Sequence, residues 1–309
     1  MSEYLSEVTR ALRHAPGFET IGEDECRLTR LGGMTNLVFL VEAGKQKIIV
    51  RIPGEGTQEY IDRAVEANNA QAAYAAGVSA KVLYVNPDTG LMISEAIENI
   101  ETMTPDLFAT RIGAPARAGA ALARLHGSGQ EFAFRFELFS MIDEYLKLLS
   151  TKDVDLPEGY HDIVKAAAPI KDLLASRPTP LAPCHCDPLC ENFLDDGARM
   201  WIVDWEYSGM NDPLWDVGDL SVEAGLNAAQ EMELMQAYFD ASPTPEQHGR
   251  MVIYKAMCDL LWTLLGLIQH ADDNPAEDFW AYATGRFDRC KALMNDPSFA
   301  AHLDAVRAG

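Results

Sequence analysis

Apolar residues recur with one spacing before Glu98 and with another after it. Residues 26–31, 37–42 and 47–52 are short runs rich in β-branched and apolar side chains, punctuated by Gly32-Gly33 and Ala43-Gly44. That is the pattern of an antiparallel meander. Residues 1–14 carry helical spacing, and the alanine-rich stretch 58–76, stopped by Gly77, predicts a helix. Residues 82–85 and 91–94 add two strands joined by the turn Asn86-Pro87-Asp88. Beyond Glu98 the spacing is helical over 105–126, 138–149 and 160–176. Pro178-Thr179-Pro180 then breaks the chain. A short β insert follows over 181–184, 192–194 and 200–203, with a hairpin turn at Asp195-Asp196-Gly197. From Pro213 to the end the pattern is helical again. The expected class is α+β: a small antiparallel β lobe with one helix over residues 1–98 and a larger, mainly helical lobe over 99–309.

Charge and cysteine usage narrow the partners. The 309 residues include 25 basic and 47 acidic side chains, a net charge of −22, and no stretch concentrates the basic ones. A nucleic-acid partner is therefore not expected. The acidity suits solubility, and it also suits a cationic substrate. Six cysteines in a chain this long make no disulfide framework, so free thiols are expected. Residues 1–14 do not place a basic segment before an apolar one, so no signal peptide is expected. The apolar stretch 260–268 is too short to span a bilayer and predicts a buried helix. These features together predict a cytoplasmic protein with no membrane span.

The segment richest in chemistry is Cys184-His185-Cys186-Asp187-Pro188-Leu189-Cys190-Glu191-Asn192, which sets His-x-Asp-x4-Asn between two strands. Asp204, in Ile202-Val203-Asp204-Trp205-Glu206, follows Asn192 by twelve residues and ends the next strand. Phosphoryl transfer from ATP needs such a set: a carboxylate to accept or orient a hydroxyl proton, and a second carboxylate with an amide oxygen to hold Mg2+ against the phosphates. His185 is expected to support the loop by hydrogen bonds. The bland alternative is a tight loop in which Asp and Asn are turn formers. Cys184, Cys186 and Cys190 match no common zinc spacing. His126 reads as a buried structural histidine, Trp201 and Trp215 as core, and residues 240–246 as a solvated connector.

Two further features lie upstream. Leu31-Gly32-Gly33-Met34-Thr35-Asn36 joins the first two strands, where glycines let backbone N–H groups approach phosphates and Thr35 and Asn36 add polar side chains. Arg51 ends the third strand after Ile48-Ile49-Val50, and Glu66 lies on the helix that follows. A cation on that strand held by an acid on that helix is the arrangement that positions ATP phosphates in kinases.

Taken in order, these residues resemble the bacterial choline/ethanolamine kinases, within the aminoglycoside-phosphotransferase and protein-kinase-like fold. The resemblance runs from about Arg27 to Asp288. Its most telling stretches are Gly32 to Asn36, Ile61 to Glu66, Pro87 to Thr102, and Asp204-Trp205-Glu206-Tyr207-Ser208-Gly209. It implies a two-lobed kinase-like fold and transfer of the γ-phosphoryl of MgATP to choline or ethanolamine. It implies Asp187 as catalytic base and Asn192 and Asp204 as Mg2+ ligands. Gly33, Thr35, Asn36, Arg51 and Glu66 fall at the nucleotide phosphates, with adenine near residues 94–97, and Asp216 braces the catalytic loop. Glu223 and Trp262 match the acid and one aromatic of the amine pocket, while two other aromatic positions read Leu265 and Ala228. Trp280 is an alternative aromatic for that pocket. The same chemistry on thiamine, an aminoglycoside or a hydroxyl amino acid stays open, as does a nucleotide-binding module without turnover.

Overall fold

The computed structural model describes residues 2–32, 36–54 and 61–309. Helix α1 (Ser2–Leu12) lies on a five-stranded sheet of β1 (Cys26–Gly32), β2 (Asn36–Ala43), β3 (Gln46–Pro53), β4 (Val82–Val85) and β5 (Met92–Glu95). The strand order is β1-β2-β3-β5-β4, antiparallel throughout. Val50, at the centre, is flanked by Phe39 on β2 and Ile93 on β5. These three pack with Val8 and Leu12 of α1 into one apolar cluster. Truncating Leu12 or Ile93 to Ala is expected to cost about 2–5 kcal/mol. Because side chains alternate along a strand, Arg51, next to Val50, points to the opposite face.

Helix α2 (Arg63–Ala75) interrupts the sheet between β3 and β4. The expected helix from residue 58 starts later. Residues 58–60 lie outside the described residues, and Asp62 is the cap, accepting from the backbone N–H groups of Ala64 and Val65 at 3.0 Å each. A side chain spent on capping fixes the helix start. The buried face of α2 carries Glu66, Asn69, Ala70 and Ala73. Ala70 and Ala73 belong to the apolar cluster of the large lobe. Asn69 also spans the lobes, donating to the Ser208 carbonyl at 2.9 Å and accepting from Ala133 N–H at 2.9 Å.

The large lobe contains α3 (Pro105–Thr110), α4 (Ala114–His126), α5 (Leu138–Leu149), α6 (Tyr160–Ser176), α7 (Leu214–Glu223), α8 (Ala228–Phe239), α9 (Pro245–Ala271), α10 (Phe279–Asn295) and α11 (Phe299–Ala308). The single helix expected over 105–126 is two. Gly113 takes φ +74° at the N-terminus of α4, and Pro115 in its first turn has no N–H to continue a ladder. Two short strands were not legible: β6 (Glu101–Thr102) and β10 (Gly209–Asn211). The insert strands are β7 (Ala182–Cys184), β8 (Phe193–Asp195) and β9 (Met200–Ile202). They do not form one sheet, since β7 pairs with β10 while β8 lies between β6 and β9. Trp215 is fully buried as expected. Trp201 is not core; it is partly exposed, with Arg199 stacked on its ring at 3.8 Å and its indole N–H on Asp196 at 3.0 Å.

Helix α9 is the axis of the lobe, packed by α5, α7, α10 and α11. Its 27 residues are long and apolar enough to cross a membrane, but 83% of the most apolar stretch is buried inside the protein. Gly218 sets how closely α7 approaches α9: a Cβ there would sit 2.8 Å from the Met251 carbonyl oxygen. Only a residue without a side chain permits that approach.

Candidate active site

The loop after β7 is held from below. Asp216, in the first turn of α7, accepts from the backbone N–H groups of His185 at 2.6 Å and Cys186 at 2.9 Å, and from His126 Nε2 at 3.0 Å. Cys186 sits at φ +67°, a region that a side-chain-bearing residue seldom adopts. The two backbone bonds that Asp216 accepts from His185 and Cys186, and a third from Trp215 Nε1 to the Cys186 carbonyl at 3.1 Å, hold it there. His185 is buried, donates from Nε2 to the Val203 carbonyl at 2.9 Å, and packs on the Trp205 ring at 5.0 Å. Burial lowers its pKa, so it is a neutral brace of the loop.

Asp187 follows at the lip of this loop. Asn192 donates from Nδ2 to the Asp187 carbonyl at 3.1 Å, which leaves its Oδ1 as an acceptor. The β8–β9 hairpin brings Asp204 alongside, because Val203 N–H bonds the Asn192 carbonyl at 3.0 Å. Asp204 itself takes φ +70°. Burial, reinforced by Asp204 and Glu223 and opposed by Arg286, lifts the Asp187 carboxyl to about 7. The desolvating walls of the cleft also lift Asp204, whose side chain is 40% exposed, to about 6; Arg51 pulls it down, while Glu206 and Glu66 push it up. Carboxyls crowded this way favour a proton or a cation between them.

Arg51 faces the cleft from β3. It is ion-paired with Glu66 and lies 3.3 Å from Asp204 and 3.8 Å from Glu206. A second buried cation, Arg63, bridges Glu66 at 2.8 Å and Glu206 at 2.7 Å. Asn36, expected at the phosphates, is buried and donates its amide to Glu206 at 2.8 Å. The carboxylate beside it offers a stronger acceptor than open cleft would. Gly33 and Thr35, expected there as well, lie outside the described residues. Arg63 and Glu206 were missed in the sequence. Their signals were the i,i+3 spacing of Arg63 to Glu66 and the acid two places after Asp204.

On the other side of Asp187, α7 offers Asp219 and Glu223, α9 offers Cys258, Asp259 and Trp262, and α10 offers Tyr282, Arg286 and Arg289. Glu223 is not the lone acid expected there. Arg286 pairs with it at 2.6 Å and covers the Tyr282 ring at 4.7 Å. Asp259 is held by Arg289 at 2.6 Å and by Arg286 at 3.4 Å. Trp262 is partly buried against the large-lobe core, one helical turn beyond Cys258 on the same face of α9. Trp280 packs on His270, with centroids 5.4 Å apart. Asp219, Tyr282 and Arg286 were also missed. Asp219 to Glu223 and Tyr282 to Arg286 each have i,i+4 spacing, which shares a face but does not name its neighbour.

For a divalent cation, the oxygen-only set of Asn192 Oδ1, Asp204 and Glu206 has the hardness that Mg2+ requires. Carboxylate oxygens of Glu66, Asp204 and Glu206 lie within 4.8 Å of one another. The buried group of His126, Cys184 and Asp216 is different. His126 uses both ring nitrogens, Nε2 on Asp216 and Nδ1 on the Tyr238 hydroxyl at 2.9 Å. It is a structural histidine, as expected.

Comparison with known proteins agrees with this architecture. Residues 28–250 match the model of the phosphotransferase enzyme family. A choline/ethanolamine kinase family protein from Mesorhizobium loti is 59% identical, with a TM-score of 0.90 over 98% of this chain and 99% of that one. Choline kinase LicA from Streptococcus pneumoniae is 27% identical, with a TM-score of 0.72 over 87% of this chain and 94% of that one. Protein LicA of Haemophilus influenzae is 28% identical over 294 residues, covering 90% of this chain and 83% of LicA. The α+β fold with an antiparallel N-terminal lobe and a helical C-terminal lobe is that of these kinases, and the chain belongs to the phosphotransferase enzyme family and, within it, to the choline/ethanolamine kinase family.

Proposed function

We propose that this protein transfers the γ-phosphoryl of MgATP to the hydroxyl of ethanolamine or choline, with residues 1–98 forming the nucleotide lobe and 99–309 the catalytic and acceptor lobe. The observation that carries the reading is Asp187, a half-buried carboxyl near neutral pKa between a phosphate-side network and an acid-rich pocket. Asp187 accepts the acceptor's hydroxyl proton as the oxygen attacks the γ-phosphorus, and the bond to ADP breaks. A base with a pKa near the working pH is well matched to that transfer. Arg51, fixed by Glu66, meets the phosphates, and Arg63 keeps Glu66 in place. Asn192 and Asp204 would hold Mg2+, which when bound neutralises charge on the transferred phosphoryl group. Adenine would lie near residues 94–97, while Glu223 and Trp262 belong to the wall that receives the amine. The kinship with choline and ethanolamine kinases supports the acceptor class. The described cysteines are all free and buried, which suits the ATP-rich cytoplasm.

The test is coupled ADP release with ethanolamine, choline, thiamine and an aminoglycoside. Release dependent on ethanolamine or choline is expected. Background release with both of these overturns the reading.

A further inference from the structure

Three more carboxyls join Asp187 on its acceptor side: Asp219, Glu223 and Asp259. Two guanidinium groups answer them, and both are committed, Arg286 to Glu223 and Asp259, and Arg289 to Asp259. Asp219 has no such partner among the described residues. It is 1% exposed; its Oδ1 accepts only a thiol hydrogen from Cys258, with Sγ at 3.1 Å, and its Oδ2 accepts no hydrogen bond. Its carboxylate, that of Glu223 and the Cys258 sulfur converge within 4.8 Å. A buried carboxylate oxygen without a donor is costly, and a ligand that supplies one relieves that cost.

We propose that Asp219 is the ammonium-binding carboxylate of the acceptor pocket and that it selects amino alcohols whose nitrogen still carries an N–H over a quaternary ammonium. This rests on the function proposed above. Hydrogen-bond inventory separates the two kinds of acceptor. Protonated ethanolamine and its mono- and dimethyl derivatives each have at least one N–H to place on Oδ2. Choline has none, so it leaves that oxygen unsatisfied and presents methyl groups to it. The usual compensation for a quaternary group is a set of open aromatic faces. Here Trp262 offers a face but not a set: the Tyr282 face already carries Arg286, Trp280 packs on His270, and α9 has Leu265 one turn from the Leu261 core position. Burial, with Glu223 and Asp187 adding to it, raises the Asp219 carboxyl well above its ordinary range. A bound cation would lift that penalty.

The experiment is a methylation series: ethanolamine, N-methylethanolamine, N,N-dimethylethanolamine and choline, assayed by ADP release at pH about 7.5 in the wild type and in Asp219→Asn. In the wild type the largest step should come at the last methyl, with kcat/KM falling at least about tenfold from dimethylethanolamine to choline, the scale of one charge-assisted hydrogen bond. In Asp219→Asn, which keeps shape but not charge, that step should shrink below about threefold with KM for ATP unmoved. Choline used as well as dimethylethanolamine by the wild type overturns the inference, as does an unchanged step in the variant. If thermal melting shows the variant unfolded, the wild-type series decides alone. Equal use of all four acceptors overturns the inference and leaves the proposed function standing. No release with any acceptor, despite a thermal shift with a non-hydrolysable ATP analogue, overturns both.

Discussion

Buried charge is handled differently on the two sides of Asp187. On the phosphate side, two arginines and the acids Glu66, Asp204 and Glu206 interlock, and nearly every charged group touches an opposite one at 2.7–3.8 Å. On the acceptor side, the cations are held by Glu223 and Asp259, and among the described residues Asp187 and Asp219 have no ion-pair partner of their own. In the proposed function, the first arrangement meets an anion that always has the same shape. The second keeps an electrostatic deficit that a cation can fill. Preorganised dipoles and charges serve best where the reacting group is constant, and an unfilled charge serves best where a ligand of opposite sign must be attracted.

The sharpest way to break the contrast is to remove the group between the two sides. Asp187→Asn should lower kcat at least about 100-fold, with the fold intact by circular dichroism. Near-normal turnover would mean that neither side is organised around it. Next, Arg51→Lys keeps the charge but loses the planar fork that serves Glu66 and phosphate together. It should lower kcat/KM for ATP by about 30-fold and leave the acceptor KM close to normal; initial-rate kinetics with each substrate varied will show whether the effect stays on one side. Trp262→Ala should do the reverse, raising the acceptor KM about 5- to 10-fold while KM for ATP holds.

The smallest effect is in stability. Asp187 and Asp204 have folded-state pKa values of about 7 and about 6, above those of ordinary carboxyls. Between about pH 4 and pH 7 the folded state therefore binds more protons than the unfolded one, and stability falls as pH rises through that window. Melting temperature without metal should drop by a few degrees across it. Mg2+ should restore the loss at the upper end, where both carboxyls are ionised, and do little at the lower end. A melting temperature flat in pH, or a Mg2+ effect independent of pH, would remove the charge deficit from the argument.

What could be read from the residues was what lies close in sequence. The loop from Cys184 to Asn192 and the hairpin leading to Asp204 are contiguous, so spacing alone brings their side chains together. The strands of the small sheet announced themselves through β-branched runs and glycine turns. Arg63 and Glu206 are 143 residues apart along the chain, and nothing local says that they meet. Arg286 is on a helix that approaches Glu223 only because α10 packs on α9 and Gly218 lets α7 close in, and that is a property of three helices at once. The break between α3 and α4 was missed because the apolar spacing continues through Gly113, whose left-handed backbone leaves no mark on periodicity. Asn36 reaches Glu206 in the other lobe, 170 residues away, a contact that its neighbours in the glycine turn do not announce.

The ring contact between Trp205 and His185 has an optical consequence. Trp205 is buried with its ring on His185 of the catalytic loop, and its indole N–H reaches Ser79 Oγ of the small lobe at 3.2 Å. It therefore touches both halves of the cleft with one chromophore. Indole emission shifts with the polarity around the ring. Any motion that pulls the lobes apart must loosen the Ser79 contact, and any distortion of the loop must move His185. The protein thus carries its own gauge of cleft opening, three residues past the end of β9 and readable by fluorescence without a label.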